Sequence, residues 1–241
     1  MEAADLLIQL NMGAWKIGSG DITWTEIIEY IGSKNKPVFL ATGAASMADV
    51  DRAVKSLLNI NNKIVLMQCN TNYTAESENF SNLQLNVIKT YSKKYPGIIT
   101  GISDHMQGDV AVLGSIALGA KVVEKHFTDS TKRSGPDHPF SMTPKTWKEM
   151  VEKTRDLENA LGDGIKRVEE NEKETVIMQQ RSICVSRDLQ VGTIIKEHDL
   201  AFLRPCPLNS IKPYEIDKVL GKTLTKNLKK GEGLFSKYLS E

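Results

Sequence analysis

The chain has 241 residues, 31 of them lysine or arginine and 30 aspartate or glutamate, which gives a formal net charge of +1 at pH 7. A balance this even gives no bulk electrostatic reason to expect nucleic acid or an anionic membrane surface as a partner. We expect a cytoplasmic protein, because no stretch reaches the ~20 apolar residues of a membrane helix, no secretory signal pattern opens the chain, and the cysteines are too scattered for a disulfide framework.

The first two thirds of the chain alternate short apolar runs with amphipathic stretches, after a helical segment at residues 2–10. The predicted strands are 14–18, 37–43, 64–69, 98–103 and 121–127, and the predicted helices are 23–32, 46–58, 82–95, 109–118 and 144–161. The strand segments are apolar almost throughout, as expected of parallel strands that are covered on both faces. The fold class is therefore α/β.

Polar and charged residues follow every predicted strand. This favours a TIM-type (β/α)8 barrel over an open doubly wound sheet, because such barrels build their sites at the carboxyl ends of the strands. A closed barrel needs eight strands, and the sequence predicts about five strand-helix units. We expect residues 1–165 to form an incomplete TIM barrel that lacks its first strands.

The character of the sequence changes after residue 165. A charged segment at 166–180 is interpreted as a linker, and residues 181–241 consist of short β-like pieces with turns. We predict a small, mostly-β domain there. A domain of about 60 residues is only marginally stable on its own, so we expect it to pack against another part of the assembly.

Three groups of strand-end residues suit anion and metal chemistry. Residues 16–21 (KIGSGD) combine a cation, a hydroxyl and small residues, which suit phosphate or carboxylate oxygens, although an ordinary strand-to-helix turn fits equally well. The next two groups are SDH at 103–105 and EKH at 124–126. Two imidazoles on adjacent strand ends can bind one divalent ion, whereas either histidine alone is more often structural.

Two further loops carry polar side chains that are weaker evidence for a functional site. Asp137 follows Gly-Pro in a turn and suits hydrogen bonds from sugar hydroxyls, but taken alone a plain turn aspartate is the better interpretation. Residues 69–73 (CNTNY) end the third strand with hydrogen-bonding groups. Only their position on the expected catalytic face indicates a functional role.

Seven motifs follow one another along the chain: KIGSGD, LATGAAS, QCNTNY, GISDH, VEKHFTD, GPDH followed by FSM, and FLRP. Together they resemble the sialic acid synthase family, that is, N-acetylneuraminate synthase and its relatives. The resemblance runs from about residue 3 to the C-terminus. The tail resembles the SAF (antifreeze-like) domain of that family.

The resemblance implies a reaction. Phosphoenolpyruvate would condense with N-acetylmannosamine, or a related N-acyl-hexosamine, and water to give a nine-carbon 2-keto acid and phosphate, with cleavage of a carbon–oxygen bond. A divalent ion, Mn²⁺ or Mg²⁺, would be bound by His105 and His126 and make the sugar aldehyde electrophilic. A homodimer is also implied, in which Arg204 of a swapped SAF domain reaches the sugar in the neighbouring subunit's site.

The motif positions assign further site residues. The phosphoenolpyruvate residues are Lys16, Ser19 and Ser103, and the sugar residues are Tyr73 and Asp137. Thr71 is a further substrate-binding residue, and the catalytic acid or base is Asp21. Three positions depart from the family pattern: Asp21 replaces Glu, Ala41 replaces a phosphate-contacting Ser, and Thr71 replaces Asn or Ser. These departures are compatible with a legionaminic, pseudaminic or spore-coat sugar precursor as substrate, or with decay.

The family's first three strands, which carry a glutamate and a lysine of the site, have no counterpart in the sequence. We therefore expect this chain alone to be inactive and poorly folded unless another polypeptide supplies them. Two other functions fit the residues. A TIM-type aldolase would use a Schiff-base lysine, for which Lys125 is the candidate. A non-catalytic remnant would bind only carbohydrate or a partner subunit through its tail.

Overall fold

The computed structural model of the chain describes residues 1–74 and 76–240. Contacts between Cα atoms divide the chain into two compact units, Met1–Gly164 and Ile165–Glu241. Over the residues described, no helix is both long enough and apolar enough to cross a bilayer.

The first unit is a five-stranded parallel sheet with helices between its strands. The strands, in their order across the sheet, are β1 (Trp15–Ile17), β2 (Val38–Ala41), β3 (Ile64–Cys69), β4 (Ile99–Asp104) and β5 (Val122–Lys125). The helices are α1 (Glu2–Gln9), α2 (Thr25–Gly32), α3 (Met47–Leu58), α4 (Val87–Lys94), α5 (Val110–Ala117) and α6 (Pro144–Leu161). Every neighbouring pair of strands is parallel, which confirms the predicted α/β class and the partial TIM-type sheet.

One helix is shorter than the sequence predicts. The amphipathic stretch 82–95 is helical only from Val87, and a 3₁₀ turn at Ser77–Asn82 precedes it. Gln84 lies between them with a φ of 54°, in the left-handed region. A right-handed helix cannot continue through such a residue, so the amphipathic pattern extends beyond the helix that forms.

The sheet is strongly curled. Lys16 on β1 and Glu124 on β5 form an ion pair with 3.1 Å between Nζ and Oε1, although these strands are the two edges of the sheet. In a flat sheet the edge strands would lie about 19 Å apart, because neighbouring strands are spaced by about 4.8 Å, and two side chains cannot bridge that distance. The curl therefore gives the sheet a concave face, as in part of a barrel.

The two faces of the sheet have different chemistry because successive side chains of a strand point to opposite sides. Trp15 and Ile17 of β1 are buried in the hydrophobic core, together with side chains of α2 and α3. Lys16, between them, is exposed on the concave face. The convex face is therefore the packing face of the sheet, and the concave face is free to carry polar groups.

A capping box fixes the start of α3. The Ser46 hydroxyl accepts a hydrogen bond from the Asp49 backbone N–H at 3.3 Å, and the Asp49 carboxylate accepts one from the Ser46 backbone N–H at 3.0 Å. The hydrogen bond from the Ser46 side chain, followed by that from Arg52, lowers the pKa of Asp49 to about 2. The spacing of three residues between Ser46 and Asp49 is that of a capping box.

We expect Asp49→Asn to make the loss of stability at acid pH less steep. The pKa of Asp49 in the folded protein is about 2, below that of an unfolded aspartate. Its contribution is therefore complete above about pH 4 and is lost as the pH falls towards about 2. Urea unfolding at several pH values, followed by tryptophan fluorescence, measures the difference. Asp156→Asn, on an exposed position of α6, is the control, and an equal change in both variants would contradict the prediction.

The second unit is built from short strands, turns and one α-helix. Its α-helix is α7 (Lys173–Gln179), within the segment interpreted as a linker, and its strands are β6 (Ser182–Val185), β7 (Leu200–Leu203), β8 (Thr223–Leu224) and β9 (Leu239–Ser240). The strands pair antiparallel as β6 with β7 and β8 with β9. A 3₁₀ turn spans Pro213–Lys218. Strands thus make up only a modest part of this unit.

Candidate functional site

The candidate site lies where the five parallel strands end. The residues that follow them directly are Gly18, Thr42, Asn70, His105 and His126. All five positions are at one edge of the sheet, because parallel strands point the same way. The curl of the sheet then brings side chains from distant strands together.

A cation, a carboxylate and a hydroxyl meet on the concave face. Ser103 donates a hydrogen bond to Oε1 of Glu124 at 3.1 Å, and the Lys16 ammonium lies 3.1 Å from the same oxygen. The side chains of Lys16 and Glu124 remain 34% and 45% exposed. The ammonium is thus accessible to an anion from solvent, and a pair this exposed contributes little to stability.

Gly43 is the centre of a tightly packed cluster beside this pair. Its backbone N–H donates a hydrogen bond to the Ser19 hydroxyl at 2.9 Å. A Cβ built on Gly43 would lie 2.3 Å from Cγ2 of Thr71 and 3.1 Å from Sγ of Cys69. Burial raises the pKa of the Cys69 thiol, which favours its protonated form. Only glycine leaves room for this arrangement of Ser19, Thr71 and Cys69.

His105 is buried and held in one orientation. Its Nδ1 lies 2.9 Å from the carbonyl oxygen of Asn70, which can only accept a hydrogen bond, so Nδ1 carries the hydrogen and Nε2 has a free lone pair. Burial lowers the pKa of His105 and favours the neutral ring. A neutral imidazole with an oriented lone pair is the form that binds metal ions.

Aromatic rings surround the two histidines. The ring centroids of His105 and His126 are 5.1 Å apart. Phe140, which is 1% exposed, lies 5.0 Å from the His126 ring and 6.2 Å from the His105 ring. Tyr73 packs on the His105 ring at 4.2 Å, and Oδ2 of Asp137 is 3.5 Å from Nδ1 of His126. The structure thus brings four of the predicted metal and sugar residues together.

The donor atoms of this cluster fit a divalent ion. His105 has a lone pair available on Nε2, and the His126 ring is close enough to bind the same ion. Within residues 1–74 and 76–240, no three His, Cys, Asp or Glu side chains converge on one ion. Two imidazoles would therefore be completed by water or substrate oxygens, and nitrogen ligands suit Mn²⁺ better than Mg²⁺.

Two of the predicted site residues do not join this group. Asp21 is exposed at the end of the 3₁₀ turn Ser19–Asp21, and its carboxylate forms no hydrogen bond or ion pair with the residues that the structure describes. Arg204 lies in the second unit, where its Nε donates a hydrogen bond to the carbonyl oxygen of Gln179 at 2.6 Å. The roles assigned to both residues stay predictions.

Lys125 does not fit the role of a Schiff-base nucleophile. It lies on the convex side of β5, and its ammonium is fully buried at 2.6 Å from Oδ2 of Asp104. A Schiff-base lysine must be neutral and accessible to the carbonyl of its substrate. A fully buried side chain that is held by Asp104 cannot reach the carbonyl of a substrate, which removes the main support for the aldolase hypothesis.

The sequence analysis missed three residues of the site. Glu124 was not assigned a role, although it precedes His126 by two residues and must share its face of the strand. Asn70 acts through its backbone carbonyl, for which its side chain gives no signal. Phe140 follows a Gly/Pro-rich loop, and only the fold shows that it packs beneath both histidines.

Comparison with protein families gives two matches that divide the chain. The NeuB family matches residues 1–166, and the SAF domain matches residues 180–237. The first match contains all five strands of the parallel sheet, and the second contains β6 and β7 with most of the smaller unit. The concave face and its histidines thus fall within the first match.

Comparison with individual proteins gives relatives that are longer than this chain. The N,N'-diacetyllegionaminic acid synthase of Campylobacter jejuni is 34% identical, over 96% of this chain and 69% of that protein. The synthase of the same name from Legionella pneumophila is 32% identical, over 99% and 67%. The crystal structure of an N-acetylneuraminic acid synthetase from Leptospira borgpetersenii superposes with a TM-score of 0.65 at 27% identity, over 72% of this chain and 59% of that chain.

Proposed function

This chain belongs to the NeuB family, and we propose that it condenses phosphoenolpyruvate with an N-acyl-hexosamine and water to a nine-carbon 2-keto acid and phosphate. The observation that carries the proposal is the arrangement on the concave face. Lys16, Ser19 and Ser103 lie near the imidazoles of His105 and His126, whose ring centroids are 5.1 Å apart. An anion site next to a metal site is what a reaction between phosphoenolpyruvate and an aldehyde requires.

The anion half of the site suits phosphoenolpyruvate. The Lys16 ammonium and the hydroxyls of Ser19 and Ser103 would hold its phosphate and carboxylate by charge-assisted hydrogen bonds. Glu124 is at present the partner of both Lys16 and Ser103. A bound anion would therefore have to replace this carboxylate, which leaves Glu124 free to hold a proton near the reacting atoms.

The aromatic half of the site suits the sugar. Thr71, Tyr73 and Asp137 would bind its hydroxyl groups, and His105 and His126 would hold a divalent ion, for which Mn²⁺ fits the nitrogen ligands. When bound, that ion supplies Lewis-acid polarisation of the sugar aldehyde. The buried ring of Phe140 keeps water away from one side of both imidazoles.

The remaining assignments concern catalysis and assembly. Asp21, at the mouth of the site after β1, would be the acid or base for the aldehyde or the attacking water. Arg204 would reach the sugar of a second subunit from the SAF domain, which makes the active form a homodimer with exchanged SAF domains. Since an aspartate is shorter than the family's glutamate, a water molecule would bridge Asp21 to its target.

The acceptor sugar defines two candidates within one reaction. N-acetylmannosamine is the acceptor that the sialic acid synthase resemblance implies. Two of the relatives reported above are named for N,N'-diacetyllegionaminic acid, which favours a hexose with two acetamido groups as the alternative acceptor. The replacement of the usual asparagine or serine by Thr71, on the sugar side, is consistent with a changed acceptor.

The decisive experiment determines whether the carbon–oxygen or the phosphorus–oxygen bond of the bridging oxygen in phosphoenolpyruvate is cleaved. The chain is mixed with a polypeptide that carries the family's first three strands and is incubated with Mn²⁺, phosphoenolpyruvate and each acceptor in ¹⁸O-labelled water. Phosphate and keto acid are then analysed by mass spectrometry. Cleavage of the carbon–oxygen bond leaves the phosphate unlabelled, whereas cleavage of the phosphorus–oxygen bond would label it. We expect phosphate without label, together with an equal amount of keto acid that has taken up the oxygen of water.

The controls separate catalysis from binding. His126→Ala should abolish the Mn²⁺ dependence of phosphate release, and His198→Ala, an exposed histidine of the second unit, should keep it. Labelled phosphate, or a borohydride-trapped adduct with pyruvate, would contradict the proposal. Acceptor binding without phosphate release would instead favour a non-catalytic carbohydrate-binding protein.

A further inference from the structure

A fully buried ion pair lies next to both histidines of the site. Nζ of Lys125 is 2.6 Å from Oδ2 of Asp104, and neither side chain has any exposed surface. The two residues face each other in the register of β4 and β5, and each directly precedes one of the histidines. A buried ion pair is weak evidence for stability, because removing both charges from water costs about as much as their attraction returns. Its position therefore points to another role.

The pair also holds the backbone on the far side of His105. Oδ1 of Asp104 accepts a hydrogen bond from the backbone N–H of Met106 at 2.8 Å, and the Lys125 ammonium donates one to the carbonyl oxygen of Met106. His105 is thus bracketed by two residues that are both tied to Lys125. Since His126 follows Lys125 directly, the same side chain fixes both strand ends.

We propose that Asp104 and Lys125 are positioning residues for the two imidazoles. They act from the convex face and fix the end of β4 against the end of β5, so that His105 and His126 converge on one ion. The carbonyl of Asn70 orients the His105 ring, but Asn70 follows β3 and cannot set the spacing between β4 and β5. This inference rests on the metal role proposed above for the two histidines.

The test is the Mn²⁺ affinity of the full chain, measured from the electron paramagnetic resonance signal of free Mn²⁺. We expect Asp104→Asn and Lys125→Met each to weaken binding by about 10- to 100-fold, the usual effect of losing a group that orients metal ligands. The double variant contains no unpaired buried charge and should regain stability relative to the single variants. Its Mn²⁺ affinity should stay weak, because the bridge from β5 to Asp104 and Met106 is still missing.

Two control variants distinguish the possible causes of a change. Leu57→Ala removes a fully buried side chain of α3, so it lowers stability without touching the ion pair and should keep the Mn²⁺ affinity. His105→Ala removes a ligand itself and should abolish tight binding. Unchanged affinity in His105→Ala would refute the metal site, and with it the proposed function.

Other outcomes would overturn the positioning role alone. One is weak binding in His105→Ala together with unchanged binding in both Asp104→Asn and Lys125→Met. Another is a double variant that binds Mn²⁺ as tightly as the wild type. A loss in Leu57→Ala equal to that in the two single variants would show that stability, not position, controls the affinity.

Discussion

Gly43→Ala is expected to lower kcat/KM for phosphoenolpyruvate about 100-fold while leaving the chain folded, because displacements near 1 Å in a site have effects of this size. The added Cβ would lie 2.3 Å from Cγ2 of Thr71 and 2.9 Å from Oγ of Ser19. Neither contact is sterically possible. The loop after β2 must therefore move away from the ends of β1 and β3, and the hydroxyl of Ser19 moves relative to Lys16.

A second substitution can relieve part of this clash. Thr71→Ser removes the methyl group that the new Cβ would meet first, so Gly43→Ala/Thr71→Ser should recover part of the lost kcat/KM. Gly13→Ala is the matched control, because a Cβ there has no neighbour within 4 Å. Steady-state kinetics of phosphate release compares the three variants. If Gly43→Ala behaves like Gly13→Ala, the close packing at Gly43 has no influence on the site.

Phe140→Ala should destabilise the first unit by about 3–5 kcal/mol, the usual loss for a buried phenylalanine. The Phe140 side chain is 1% exposed and packs against Tyr73 and the two histidine rings. Its removal leaves a cavity lined by polar rings. Urea unfolding followed by tryptophan fluorescence reports this change, because all three tryptophans, Trp15, Trp24 and Trp147, lie in the first unit.

The control for this prediction is the same substitution at an exposed site. Phe127 is 59% exposed, and its ring makes an edge contact with Trp147. Phe127→Ala should cost about 1 kcal/mol or less, as for an exposed aromatic pair. Equal losses in the two variants would mean that Phe140 contributes no more than a surface ring does.

The sequence predicted the sheet better than it predicted the loops. The apolar runs that became β2 and β3 are unambiguous because parallel strands are covered on both faces. The start of α3 was equally clear, since the cap of Ser46 and Asp49 is local. The end of the segment 82–95 was not, because the left-handed conformation of Gln84 has no signal in an otherwise helical pattern.

The site shows the same division between local and long-range information. His105 and His126 could be paired from the sequence because each follows an adjacent strand. The contact of Lys16 with Glu124 could not, because it depends on how far the whole sheet curls. The packing of Thr71 on Gly43 also depends on the sheet, since it joins the loops after two different strands.

Successive side chains of a strand point to opposite faces of the sheet, so neighbouring residues can have independent roles. Along β5, Glu124 contacts Lys16, whereas the next residue, Lys125, forms a buried ion pair with Asp104 on the other side of the sheet. A substitution at one position can therefore change substrate preference without altering the packing of the next residue. A single-residue insertion within β5 would exchange the two sets, placing a buried cation in the site and a carboxylate in the packing layer. We therefore expect β5 to tolerate a substitution better than a change in its length.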